Sequence, residues 1–292
     1  MNTTRLSERV LLVTGDYCDE HMTVLATGDG LVVIDTLATL PACRAALSFV
    51  REFSRQPVRL VVNTHADVDH VAGNSLFPGA TIVAHRNCEQ RWSAGNRQHD
   101  EALRGLLSFL RSKPLPTDPR LASRHETYLR WFGSLEPGLD EFASVPPSVL
   151  VTGATRLSLG ALTLELEYLG RGHTEADLLV RVADEDLLVT GDLVMGEGFI
   201  PVAHEDGGGS LSGLRRAVDH VEALAGPRTR IVPGHGPVGG VEILLPQRAY
   251  LDALAAGAPP APDPFRFHYL YDLFHPRHQQ LARAEAEATQ AG

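Results

Sequence analysis

Apolar residues along this chain follow two rhythms: short β-branched runs, and longer stretches at helical spacing. Val10 to Val13, Thr23 to Thr27 and Leu31 to Ile34 are runs separated by Gly-Asp punctuation, and they predict an N-terminal meander. Pro41 opens a helical pattern that carries Ala45, Ala46, Phe49 and Val50 on one side and runs to Arg55. Val58 to Val62 and Ala80 to Ala84 predict the next strands. Between residues 86 and 145 the pattern changes to helical spacing, with Leu103, Leu106, Leu107 and Leu110, then Tyr128, Leu129 and Phe132. Lys113-Pro114-Leu115-Pro116 and Val145-Pro146-Pro147 interrupt it. The stretch is short and flanked by strands, so it reads as a helical insertion and not as a separate domain.

Strands resume at Val149 to Val151, Leu157 to Leu159, Leu162 to Leu169, Leu178 to Val182 and Leu187 to Thr190. Ser210 to Ala225 predicts a helix with Leu211, Leu214, Val218 and Val221 on one face. Arg230 to Val232 is a last strand and Val241 to Ala255 a last helix. Residues 1–256 then form one domain, carrying the insertion at 86–145, and 257–292 a tail. That tail is proline-rich, then aromatic (Phe265 to Phe274, with His268, Tyr269, Tyr271 and His275 expected to pack on the body), then Ala/Glu-rich with an end expected to fray. Strand-rich blocks with helices on either side suggest a layered α/β architecture, with two similar β-rich halves around the insertion.

Composition narrows the function classes. The net charge of −10, with no Lys/Arg-rich block, argues against a surface that tracks nucleic-acid phosphates. No stretch approaches the ~20 apolar residues of a membrane span. Met1 to Arg9 is polar, without the apolar run of an export leader. Cys18, Cys43 and Cys88 lie far apart, which fits buried apolar residues in a reducing compartment, so a cytoplasmic location is expected.

The densest chemistry is Thr64-His65-Ala66-Asp67-Val68-Asp69-His70, just after the apolar run Leu60-Val61-Val62. Imidazole and carboxylate together suit a borderline divalent metal such as zinc, manganese or iron. A solvated acidic turn would account for the carboxylates and leave the paired histidines unexplained. Three more loops share the grammar of a strand followed by a glycine-flanked polar residue: Gly172-His173-Thr174, Gly191-Asp192, and Pro233-Gly234-His235-Gly236. A lone histidine after a strand is more often structural; four such loops are a pattern.

The set Thr-His-x-x-x-Asp-His-x-x-Gly-Asn (64–74), Gly-His-Thr (172–174), Gly-Asp-Leu (191–193) and Pro-Gly-His-Gly (233–236) resembles the metallo-β-lactamase fold superfamily over about residues 10 to 255. The resemblance implies a four-layer αββα sandwich with a dinuclear metal site at one edge of its two sheets. It implies that His65, Asp67 and His173 hold one metal, that Asp69, His70 and His235 hold the other, and that Asp192 bridges them. The family usually has histidine where this chain has Asp67, and a shorter carboxylate either ligates or leaves that position weak or empty. Flavodiiron relatives carry glutamate there and bind iron. Two zinc ions are expected first, with iron or manganese as the alternatives. Asp192 looks like the glyoxalase-II arrangement, in which two cations lower the pKa of a water between them. Asp69 would then orient that nucleophile and move its proton.

The resemblance thus implies hydrolysis of an acyl bond (lactone, thioester, ester or lactam) in a small molecule. Rival readings are an iron-dependent redox enzyme on the same ligands and an accessory protein whose site Asp67 has broken; nucleic-acid cleavage ranks behind both. Thr174 and Asp177 are expected either to brace His173 or to cap a turn, and Asn74 to fix the first loop. His204, Tyr17 and His21, with Glu20 beside it, are candidates for substrate contact. Trp92, Trp131, Phe132 and Tyr128 give the insertion the material for a substrate wall; a homodimer surface is its other reading.

Overall fold

The computed structural model describes residues 1–89, 92, 97–141, 143, 145–204, 208–258 and 271–291. Strand β1 (Asn2–Arg5), absent from the sequence reading, is an exposed polar edge that pairs with β2 (Val10–Thr14). β3 (His21–Ala26) and β4 (Leu31–Ile34) extend the antiparallel meander. Helix α1 (Leu40–Phe53) then crosses to β5 (Val58–Val62), which lies parallel to β4. Thr39 accepts the Ala42 amide at 3.1 Å as the α1 N-cap, a contact that stabilises by ~1 kcal/mol. The one-turn helix α2 (Val68–Val71) precedes β6 (Thr81–His85).

Among its described residues the insertion carries helices α3 (Arg97–Ser112) and α4 (Pro119–Leu139). After it, β7 (Val149–Val151) returns to the first sheet and pairs parallel to β6, with Val83 opposite Val149. The insertion is therefore a crossover within one sheet and does not divide the β-rich halves. The first sheet runs β1-β2-β3-β4-β5-β6-β7. The second consists of β8 (Thr155–Leu159), β9 (Leu162–Tyr168), β10 (Leu178–Val182), β11 (Leu187–Gly191) and β12 (Arg230–Pro233). Only β11 and β12 are parallel there, joined through helix α5 (Leu211–Leu224).

Period-two alternation decides which side chains share a layer. Val10 and Leu12 of β2 meet Leu178, Val180 and Val182 of β10 between the sheets, while Leu11 and Val13 face outward under α1. Cys43, Ala46 and Val50 line the buried side of α1. The outer face of the second sheet, through Leu179, Leu188 and Ile231, packs on Leu214 and Val218 of α5 and Leu251 of α6 (Leu244–Ala255). The result is the expected four-layer αββα sandwich. Cys18, Cys43 and Cys88 are buried thiols, as expected.

Leu107, Leu110, Trp131, Phe132 and Leu135 from α3 and α4 join that outer core. The side chains of Leu103 and Leu106 lie outside the described residues, as do His268 and Tyr269. The tail departs from the expectation of fraying: Tyr271–Ala291 is helix α7 and packs on α6 and α5. Its anchors are polar. Glu285 accepts the Leu211 and Ser212 amides at 2.9 and 3.0 Å, a carboxylate on the bare N–H groups that begin α5. His278 is fully buried between the Ala203 amide and the Tyr250 hydroxyl. Among the described residues, no helix is long and apolar enough to cross a membrane.

Candidate metal centre

Every one of the four loops singled out by sequence ends at one rim of the sandwich. β5 delivers His65, β11 delivers Asp192 and β12 delivers His235 directly at their carboxyl ends. His173 lies in the turn between β9 and β10, and Asp67, Asp69 and His70 sit at or within α2. Two glycines make the approach possible. A Cβ on Gly234 would collide with the Asp192 carboxylate, and one on Gly191, at φ 50°, with the Thr64 side chain.

The donors converge. His70 Nε2 lies 3.2 Å from Asp192 Oδ1, while His173 and His235 Nε2 lie 3.4 and 3.5 Å from Asp192 Oδ2. Asp67 Oδ2 is 3.1 Å from His173 Nε2 and 3.8 Å from His65 Nε2, so the short carboxylate does reach. Asp69 Oδ2 lies 3.4 Å from His235 Nε2. Three groups, His65-Asp67-His173, Asp69-His70-His235 and His65-His70-Asp192, each bring their donor atoms within 4.8 Å of one another.

The imidazoles are prepared for a cation. In all four, Nδ1 is engaged from behind and Nε2 faces the centre. His173 Nδ1 donates to the Val202 carbonyl and His235 Nδ1 to the Cys18 carbonyl, each at 2.8 Å. His70 Nδ1 donates to Asp35 Oδ2 at 2.9 Å. The Thr64 hydroxyl gives its proton to Asp35 at 2.7 Å and so accepts from His65 Nδ1 at 3.0 Å. That fixes the tautomer that leaves each Nε2 lone pair free. Among the described residues buried His65 Nε2 has no hydrogen-bond partner, which is costly unless a cation takes it. The donor set fits a divalent metal pair.

Electrostatics agree. Burial opposes charge on His235 and His173, yet Asp192 with Asp69 holds His235 up at about 10, and Asp192 with Asp67 holds His173 at about 9. Burial also works against Asp69 ionising, and the hydrogen bond from His235 with the His70 charge still holds it at about 2. The cluster attracts positive charge, and without metal protons supply it.

The model of the metallo-beta-lactamase superfamily matches residues 15–235. The chain belongs to that superfamily. It is 22% identical over 232 residues to the metallo-beta-lactamase type 2 of Bacillus cereus, covering 80% of this chain and 73% of the relative. The metallo-beta-lactamase from Pontibacter korlensis superposes with a TM-score of 0.63 at 18% identity, over 86% of this chain and 98% of that one. The inverting sec-alkylsulfatase Pisa1 from Pseudomonas sp. gives 0.66 at 17% identity, over 88% of this chain and only 42% of its own. At such identities the likeness shows the fold.

Other expected members of this superfamily site fall into place or away from it. Asn74 lies beneath the first loop, accepting from Thr36 and donating to Asn63, which also reaches the His70 carbonyl. Thr174 and Asp177 bond each other, the Thr174 hydroxyl donating to Asp177 at 2.6 Å; they cap the turn, and the brace of His173 is Val202. His21 is buried, its Nε2 donating to the Gly236 carbonyl at 2.7 Å and its Nδ1 on Thr14, so it supports the His235 loop from behind instead of meeting a substrate. Tyr17 packs edge-on against Phe132 of the insertion. His204 reaches the site itself, its Nε2 3.2 Å from Asp67 Oδ2. Glu20 lies fully buried in a β-bridge with His235, and burial pushes its carboxyl up to about 8. Asp35 is the residue the sequence reading missed. It too follows a strand directly, Leu31–Ile34, and that signal was available in the Ile34-Asp35-Thr36 step.

Proposed function

We propose that this chain is a hydrolase that holds two divalent ions, zinc first, and cleaves the acyl bond of a lactone, thioester, ester or lactam. The observation that carries it is the set of four back-braced imidazoles aimed at one shared carboxylate, Asp192. His65, Asp67 and His173 would hold one ion, Asp69, His70 and His235 the other, with Asp192 between them. Bound there, such a pair lowers the pKa of a water and polarises a carbonyl.

The chain's own groups do the rest. Asp69, kept ionised by His235 and His70, is the base that takes the nucleophile's proton on Oδ2 and passes it to the leaving group. Trp131 of α4 packs on Phe199, whose ring stacks on His235, so the insertion supplies an apolar wall beside the centre that excludes water and selects substrate. That Asp67 lies 3.1 Å from His173 and 3.8 Å from His65 supports an intact site over a broken one. A hard carboxylate among the donors keeps a second reading in play, iron and redox chemistry at the same residues.

The test is elemental analysis of protein purified without added metal, followed by a panel of lactones, thioesters, lactams and a sec-alkyl sulfate. About two zinc ions per chain, with acyl hydrolysis lost to a chelator and restored by zinc, is the expected result. Substantial iron with oxygen consumption moves the redox reading forward. No metal and no hydrolysis overturns the proposal.

A further inference from the structure

His204 stands apart from the other imidazoles in how it is held. It lies on the 199–204 segment, after Asp192 and outside the four motif loops, and its side chain is 32% exposed. Yet that segment is tied to the centre at both edges. Val202 accepts His173 Nδ1 at 2.8 Å, and the His204 amide donates to the His173 carbonyl at 3.0 Å. The chain returns at Gly209, whose amide donates to the His204 carbonyl at 2.7 Å. A Cβ there would lie 2.6 Å from the His204 amide nitrogen and 2.7 Å from the His173 carbonyl, so only glycine fits.

From the outside, α7 closes over the same segment. Phe274 packs edge-on against the His204 ring at 5.8 Å, and His278 accepts the Ala203 amide at 3.3 Å. The His204 and His173 rings lie 4.7 Å apart. The imidazole is thus placed with its Nε2 against the one donor, Asp67, that replaces an imidazole of the family pattern.

We propose that His204 supplies the imidazole that Asp67 lacks, completing a donor set of His65, Asp67, His173 and His204 for the first ion. The inference rests on the two-metal reading above and adds a ligand outside its four loops. A third imidazole beside Asp67 restores the nitrogen count of the family pattern at the first ion, where Asp67 alone would harden the donor set. The tail helix would then be part of how that ion is retained.

The experiment titrates zinc against a competing chelator in the wild type, His204→Ala, His204→Gln, and His204→Ala combined with Asp67→His. Cobalt absorption spectra and X-ray absorption of the zinc protein count the imidazole donors. Expected is a loss of one ion's affinity by at least ~100-fold in His204→Ala, more than a partner that merely orients a ligand produces, with the other ion unchanged. His204→Gln keeps an N–H for Asp67 and no imidazole, and it should fail like alanine. Asp67→His should restore binding to His204→Ala. If His204→Ala keeps both ions tightly, or His204→Gln matches the wild type, this inference falls and the two-metal reading stands. If the wild type itself holds fewer than two ions, both fall.

Discussion

The half of the centre built from Asp69, His70 and His235 and the half built from His65, Asp67 and His173 are equally buried at their histidines, and they differ in what holds them. In the first, Asp35 grips His70 from a strand end, and the Cys18 carbonyl grips His235 across the pairing of Glu20 with that loop. In the second, Asp67 sits at the N-terminus of α2 without a side-chain capping bond, and His173 leans on the 199–204 segment, which α7 covers. One half is fixed by the central strands; in the other, His65 shares that support through Thr64 and Asp35, while His173 depends on an insertion-side loop and the chain's last helix. A donor held by the core needs little reorganisation to take a cation; a donor held by peripheral elements responds to whatever loosens them.

The largest expected effect erases the comparison. Asp192 is the carboxylate both halves share, so Asp192→Ala should strip both ions and lower turnover more than ~100-fold, beyond the loss from disturbing a ligand's partner. Elemental analysis and hydrolysis of a responsive ester or lactone measure it; full metal content with full activity would mean the site is assigned wrongly. Next comes a change at the support the two halves share, since Asp35 holds His70 directly and His65 through Thr64. Asp35 adopts φ 58°, which asparagine tolerates, so Asp35→Asn keeps the backbone. Its amide would place N–H against the Thr64 and His70 donors now served by two oxygens. The His70 ion should bind ~10–100-fold more weakly and the His65 ion weaken less, measured by chelator competition; unchanged affinity for both would remove Asp35 from the support.

The same contrast explains what the sequence could show. His65, Asp69, His70, His173, Asp192 and His235 were legible because each follows a buried strand or opens a turn bounded by glycine, and strand-end geometry then brings them together. The residue pattern alone predicted a layered α/β architecture and the resemblance supplied the αββα order, because a continuous apolar run such as Val10 to Val13 is buried on both faces and does not say which side chain enters which layer. Asp35 escaped because, although it too follows a strand, neither the glycine that marks the Asp192 loop nor a histidine flanks it. The aromatic start of α7 was legible, since Tyr271 and His275 were expected to pack on the body and do so, but the fixing of its later turns escaped because their anchors, His278 and Glu285, are polar residues. Polar anchoring depends on partners ~75 residues away in sequence, which local pattern cannot reveal.

Protons test the halves together. His173 at about 9 belongs to one half and His235 at about 10 to the other, and both values describe the metal-free protein. Both are raised, so the stability they contribute is fully present below the unfolded histidine value near ~6.5 and is lost as pH rises through 9 and 10. Metal-free protein should therefore lose urea resistance between pH 7 and 10, and zinc-loaded protein should not. Below pH 9 one ion displaces the His173 proton and the other those of His235 and His70, so apparent affinity should fall by ~10-fold for the first and ~100-fold for the second with each pH unit of acidification. Calorimetry in buffers of different ionisation enthalpy would read the released protons; zinc binding without proton release would contradict the placement of those histidines.

The smallest effect belongs to the periphery. His278 Nε2 accepts from the Ala203 amide, so its Nδ1 carries the proton and donates to Tyr250, whose hydroxyl can then donate to His275 Nδ1. His278→Ala takes the acceptor away from the buried Ala203 amide, at ~1–3 kcal/mol of stability. Because α7 backs the Asp67 half alone, one ion should weaken a few-fold and the other stay unchanged, a difference that equilibrium dialysis at sub-saturating zinc can resolve. Burial pushes His278 down to about 3, so it stays neutral in the folded protein while the unfolded chain protonates it below ~6.5. The wild type pays that penalty in acid and the variant does not. The stability gap between them should accordingly be flat above pH 6.5 and shrink below it, opposite in pH range to the loss expected from His173 and His235; a gap that widens in acid would mean His278 is charged and the tail is held by some other contact.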